Sequence, residues 1–205
     1  MRIAFPVLLI QRLTCVILLG VALVVGQASA QSPSQPAAPS DDAALRARHL
    51  NALFARLEAA TVEEEADAMV AEIWKLWLQS GRPDIDAALQ QAVDFMGQGL
   101  PALAMPVLDD IVARAPDWAE GWNKRATVLY LLGEHDRSLA DIERVLALEP
   151  RHFGALAGIG LIRIAKGEPR AALAALRRAL AINPFLKERF ALIPALEREI
   201  GEKPL

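Results

Sequence analysis

Few residues in this chain have the type and spacing that chemistry needs. The three histidines are His49, His135 and His152. No two share the four-residue spacing that puts both imidazoles on one helix face, and none stands beside a cysteine or a ligand-like group of carboxylates, so the metal-site pattern is missing. All three read as surface or packing residues. Cys15 is the only cysteine. It falls inside an N-terminal apolar segment, which leaves the rest of the chain without a thiol for nucleophilic attack, metal ligation or an internal disulfide. Residues 154–160 carry glycines at 154, 158 and 160. Their order is wrong for a dinucleotide loop and no strand pattern precedes them; close helix packing accounts for them better. No serine sits in a nucleophile elbow. Glu63-Glu64-Glu65 reads as a helix start favoured by the helix dipole, and Asp109-Asp110 as a solvated face. With no convergent set of titratable groups, the chain is not expected to be an enzyme, and no catalytic residue, cofactor or metal is assigned. Trp74 and Trp77 remain. They read as helical core, with a partner anchor as the alternative, because Trp is enriched at binding hot spots.

The elements that must hold these residues begin after an export-type N-terminus. Arg2 and Arg12 precede an apolar run of 14 residues, Leu13 to Gly26, and Ala28-Ser29-Ala30 has the small-residue spacing of a secretory cleavage site. The run is shorter than the roughly 20 residues that span a bilayer. The alternative is an uncleaved anchor over residues 3–26, which places Arg12 in the membrane at a cost of about 2.5–3.5 kcal/mol. Residues 31–40, QSPSQPAAPS, form a Pro/Ser linker with nothing to bury. Residues 31–205 hold 20 basic and 25 acidic side chains, a formal net charge of -5. That sign opposes phosphate neutralisation, so nucleic acid is not an expected partner.

A 34-residue period dominates the rest. Gly99, Gly133 and Gly167 are in step, as are Pro116, Pro150 and Pro184. Small residues recur at Ala92, Ala126 and Gly160 and at Ala104, Ser138 and Ala172; large aliphatics recur at Leu108, Ile142 and Leu176 and at Val112, Leu146 and Leu180. Each column has a physical task. The glycine closes a helix in a left-handed conformation, the proline stops a second helix, small residues sit where helices cross, and aliphatics four apart form the buried stripe. Three helix-turn-helix units result, 85–118, 119–152 and 153–186.

In this pattern the chain resembles the tetratricopeptide-repeat (TPR) family. The middle unit carries the resemblance best, with Trp122, Gly133, Ser138 and Pro150 at family positions and 137–150, RSLADIERVLALEP, reading like a family second helix. The flanking units depart from it: Ala88 and Leu156 replace Trp122, Arg163 stands where an aromatic is usual, and Pro106 falls inside a second helix, where it should kink that helix or delay its start. The resemblance implies an all-α, right-handed α-solenoid of three TPR units with helical caps. The organisation expected is a signal peptide over 1–30, a linker over 31–40, an N-terminal helical hairpin over 41–84 with a capping box at Thr61-x-x-Glu64, the three units, and a capping helix and tail over 187–205, with Pro194 breaking or bending the helix expected over 185–200. It also implies a protein–protein interaction scaffold of the cell envelope whose first helices line a concave groove, so the partner expected is a protein or peptide; the alternatives are a membrane-anchored envelope-assembly factor and a regulatory or small-molecule-binding subunit of an envelope enzyme. The inward positions here are Leu89, Val93 and Met96, then Asn123, Thr127 and Tyr130, then Ala157, Leu161 and Ile164. Asp86, Glu120 and Gly154 hold the first inward-facing position of the same helices. Some TPR domains clamp a carboxylate with Lys, Arg and Asn, but Leu89, Val93, Gly154 and Gly158 occupy those places, and only Lys124 is left as a cation. The competing expectation is that the chain's own hairpin fills the groove through Trp74 or Trp77. The setting expected is the periplasm of a Gram-negative-type bacterium, with a membrane contact only if the N-terminus stays uncleaved and anchors the chain in the inner membrane.

The N-terminal reading has a direct test. The mass of the intact protein recovered from native cells should correspond to a chain beginning at Gln31; a chain that retains Met1 and resists carbonate extraction would establish the anchor instead.

Overall fold

Three glycines in step divide the helical part of the chain, and the backbone explains their identity. Gly99, Gly133 and Gly167 have φ of 72°, 77° and 71°, the left-handed region that strains any residue with a Cβ. At each, the next residue's N–H reaches the carbonyl five positions back, Leu100 to Phe95, Glu134 to Leu129 and Glu168 to Arg163, while the glycine's own N–H bonds the carbonyl three back. This double closure is the Schellman motif. Gly201, with φ 73°, extends the column by one further period.

The computed structural model describes residues 41–201. Its helices are α1 (Asp41–Ala59), α2 (Glu63–Trp77), α3 (Pro83–Gly97), α4 (Pro101–Arg114), α5 (Ala119–Leu131), α6 (His135–Leu148), α7 (Phe153–Ala165), α8 (Pro169–Ile182) and α9 (Leu192–Ile200), with a 3-10 turn at Lys187–Arg189. No strand occurs among the described residues, and none of their helices is long and apolar enough to cross a membrane. The expected export segment and linker lie outside the described residues.

Helices α3/α4, α5/α6 and α7/α8 pair as three hairpins. Ala92, Ala104 and Ala172 are fully buried, and Ala126, Ser138 and Gly160 nearly so, at the close crossings. The Ser138 hydroxyl donates to the carbonyl of Ala126 at 2.7 Å, so a buried polar atom locks α6 to α5. The first hairpin has its own core around Ile85, Leu89 and Leu108, which Val128 of α5 joins. A second cluster, with Ala126, Ile142, Val145 and Ile162, links the middle and third units. Both flanking elements meet the third unit: Leu53, Phe54 and Leu57 of α1 and Met69, Ile73 and Trp77 of α2 share one core with Phe153, Leu173 and Leu176 and with Ile193 and Leu196 of α9.

One local expectation is narrowed and two are corrected. Pro106 does not delay its helix: α4 begins at Pro101, where a missing N–H costs nothing, and continues past Pro106. The expected capping box does not form. Val62, in extended conformation, is the N-cap of α2 and makes no side-chain cap bond. The expected 185–200 helix is split, because Asn183 holds the N–H of Phe185 in a turn at 3.0 Å and α9 starts only at Leu192, with Pro194 in its first turn.

Two glycines of α7 make opposite predictions. A Cβ on Gly160 would lie 2.7 Å from Cγ and Cδ2 of Leu176, whereas one on Gly158 would meet only the Cδ1 tip of Ile142 at 3.3 Å. Alanine in a helix gains about 0.5–1 kcal/mol over glycine, and overpacking a core costs about 1–3 kcal/mol. Urea melts should therefore show Gly160→Ala destabilised by about 1–2 kcal/mol and Gly158→Ala neutral or slightly stabilised. Coincident midpoints for the two variants would refute this packing account.

Candidate functional site

The inner faces of α5 and α7 are not left open. Trp74 and Trp77, one turn apart on α2, lie against their N-terminal ends. Trp77 stacks on His152 with ring centroids 4.1 Å apart and planes 7° from parallel. Trp74 stands edge-on to His152 and Phe153 at 5.4 and 5.7 Å. Its six-membered ring rests on Gly154, where a Cβ would approach to 2.8 Å, so the glycine is required by the close packing of the α2 tryptophan. The Trp118 indole N–H donates to the Trp77 carbonyl at 2.9 Å. Further along, Arg151 lies over the Phe54 ring at 4.2 Å and donates to Asn51 at 2.9 Å.

Beneath the stack is a buried charge cluster. His152 is the N-cap of α7, and its Nδ1 accepts the N–H of Ala155 at 3.0 Å. The ring proton therefore sits on Nε2, which faces Oε2 of Glu120 at 3.1 Å. Asn123 Nδ2 donates to the same oxygen at 3.0 Å. Lys124 Nζ lies 2.8 Å from Oε1, a charge contact rather than a well-directed hydrogen bond. Burial pushes the Glu120 pKa up, but the His152 bond and the Lys124 charge outweigh it, and the carboxyl is held below the usual glutamate range. His152 and Glu120 are both essentially without solvent contact. With both imidazole nitrogens committed, this pair has no ring atom to offer a substrate; its arrangement is that of a structural joint.

The residues expected to line the groove divide into two sets. Asn123, Thr127, Tyr130, Ala157 and Leu161 come together in one cavity of about 410 Å³ between α2 and the inner faces of α5 and α7. Leu89 is instead buried in the first unit's core, Met96 packs against that core, and Ile164 packs against the core of the third unit. Val93 is exposed and away from the cavity. The α2 wall, Val70 and Trp74, and the segment from Asn183 to Glu188 complete the cavity. The α2 wall has no local signature, since it joins the site only through the hairpin's return over the repeats, whereas the 183–188 segment follows directly from α8.

No family model matches the chain. Over 137 residues it is 36% identical to a TPR repeat-containing protein of Rhizobium etli, a match that spans 67% of each chain. Among solved structures, the first TPR of Spaghetti, bound to the HSP90 peptide SRMEEVD, superposes with a TM-score of 0.54 at 16% identity over 58% of this chain and 94% of that one. MamA superposes with a TM-score of 0.53 at 20% identity over 68% and 79%. At these identities the two structures show the fold alone.

The Glu120 cluster makes stability acid-sensitive. Because the folded state lowers the pKa of Glu120, the folded protein holds its proton less tightly than the unfolded chain does. The stabilisation is present above the usual glutamate range and is lost as pH falls through the folded value. Urea midpoints measured from pH 7 down to pH 3 should drop for the wild type more steeply than for Glu120→Gln. Removing the acceptor altogether, in Glu120→Ala, should cost about 3–5 kcal/mol at neutral pH, because Lys124 and the His152 N–H lose their buried partner.

Proposed function

Because the chain belongs to the tetratricopeptide-repeat family, a scaffold for protein–protein contacts, we propose that it binds an apolar, amphipathic helix of a partner protein on its concave face, and that α2 is the internal occupant this helix displaces. The observation that carries the reading is Trp74 seated on Gly154. An amphipathic helix laid into a groove is a standard recognition mode, and α2 already presents one to α5 and α7. The buried Trp77 Nε1 finds no acceptor among the described residues. An unmade buried bond costs about 1–3 kcal/mol, which weakens the hairpin's hold and favours exchange. TPR neighbours in solved structures are bound to HSP90 and Hsp70 peptides, which supports a peptide-like partner, but an acidic tail of that kind suits this groove poorly. Lys124 is spent on Glu120. Export through residues 1–30 would place the work in the bacterial envelope, as a scaffold or adaptor rather than an enzyme.

The test compares the wild type with Trp74→Ala/Trp77→Ala and with Tyr130→Ala in capture from envelope extract. The double variant should stay folded by circular dichroism and capture a specific partner at least several-fold better, whereas Tyr130→Ala should capture less at unchanged stability. Equal capture by all three would put the binding surface elsewhere.

A further inference from the structure

Where α2 crosses the concave face it leaves a space beneath it. The cavity of about 410 Å³ is walled by Val70 and Trp74 on one side and by Tyr130, Phe153, Leu161 and Phe185 on the others. That volume is at the small end of ligand pockets, and the α2 roof leaves room for a compact molecule rather than for a peptide threaded along the groove. One buried side chain lines this space with a donor that lacks a partner among the described residues. Asn183 is only 4% exposed and lines the cavity. Its Oδ1 is held by the N–H of Phe185 at 3.0 Å, which fixes the amide's orientation. Its Nδ2 has no acceptor among the described residues, yet it is not sealed from every side as the Trp77 indole nitrogen is. A buried donor of this kind favours a ligand that brings an acceptor.

The charges at the rim narrow the class. Asp67, Lys187 and Glu188 line the cavity, the first two exposed and the last half-exposed, and none has an ion-pair partner among the described residues. Two acids to one base disfavour a carboxylate ligand, and the apolar aromatic walls offer no buried counter-ion to an ammonium. We propose that this cavity is a binding site for a small uncharged aromatic molecule carrying one oxygen acceptor, with the Asn183 amide donating to that oxygen and the ring lying among Trp74, Tyr130 and Phe153. The site lies under α2 and shares Trp74 and Tyr130 with the surface proposed for a partner helix, so it is complete only while α2 is in place.

Ligand-observed NMR titration of the full chain tests it with four probes of similar size: acetophenone, toluene, benzoate and benzylamine. Acetophenone should bind tightest, a few-fold to tenfold better than toluene, which is the factor one net hydrogen bond supplies, and benzoate should not bind. Asn183→Asp keeps the acceptor for Phe185 but removes the amide donor, so acetophenone should fall to the level of toluene. Leu161→Trp from α7 and Thr127→Phe from α5 plug the cavity independently from partly exposed positions, and either should abolish both, with thermal melts confirming that the fold is kept. The proposal is overturned if no probe binds, if binding survives both plugs, if an ion binds tightest, or if Asn183→Asp leaves the acetophenone preference intact. Saturable binding in the same cavity by a synthetic peptide of residues 63–77, with acetophenone excluded, would assign it to helical partners and would also overturn it.

Discussion

The hydrogen bond between His152 and Glu120 joins elements that the repeat pattern alone would leave independent. Glu120 is in the first turn of α5 and His152 is the N-cap of α7, so the bond ties the starts of two successive first helices. The flat face of the same imidazole carries Trp77. One side chain thus caps a helix, pairs a buried carboxylate and seats the hairpin. A buried hydrogen bond to a carboxylate is weak evidence for net stability, because desolvation of the carboxylate offsets most of the gain. Its better-attested role is to specify arrangement. Here it makes the junction of the second and third units different from the junction of the first and second, and the hairpin docks at that junction.

The repeat columns make the same point at neighbouring positions. Asp86, Glu120 and Gly154 are one column at the 34-residue period, and each does different work. Asp86 accepts from the N–H and hydroxyl of Ser80 at 2.8 and 2.6 Å, holding the approach to α3. Glu120 takes His152, and Gly154 takes the face of Trp74. The adjoining column, Asp84, Trp118 and His152, behaves likewise: Asp84 pairs with Arg82 and Arg114, while Trp118 and His152 both hold Trp77. In a simple repeat array each unit touches only its neighbours. The hairpin adds contacts such as Arg151 to Asn51 and Arg189 to Glu63, between residues 100 and 126 positions apart. Such closures couple the third unit to the chain's N-terminal part and raise the cooperativity of unfolding above that of an open stack.

This division explains what could be read from the sequence. Features set by neighbours along the chain were legible: the left-handed glycines, the prolines that close the second helices and the small residues at crossings recur every 34 residues because the same local geometry recurs. The glycine at 201 falls in the same column one period further on, although the three-unit pattern stops short of it. Features set by the hairpin's return were not. Nothing near His152 in sequence announces that Trp77 will cover it, and Gly154 shows only a small residue, not the tryptophan that needs it small. Leu89 and Ile164 were placed at the groove by the family resemblance, which does not show that one joins the core of the first unit and the other the core of the third.

The electrostatics of the concave face follow from how the repeats are locked together. Arg125 on α5 reaches Asp109 of α4 at 2.9 Å and Asp141 of α6 at 2.8 Å, pinning two second helices to one first helix. These contacts hold its charge firmly in place, with the Asp141 bond the largest influence raising its pKa. Lys124 is held by Glu120, Arg163 of α7 by Glu168 and Lys166, at the end of α7, by Asp136. Each cation that α5 and α7 carry is therefore matched by an acid of the same chain. An anionic partner would have to compete with those pairs for every contact, whereas an apolar one needs none of them. On the proposed reading, the charges that make the repeats rigid leave the groove to select by shape and apolar surface, and α2, with an apolar stripe ending in two tryptophans, is the form of ligand that such a surface would hold.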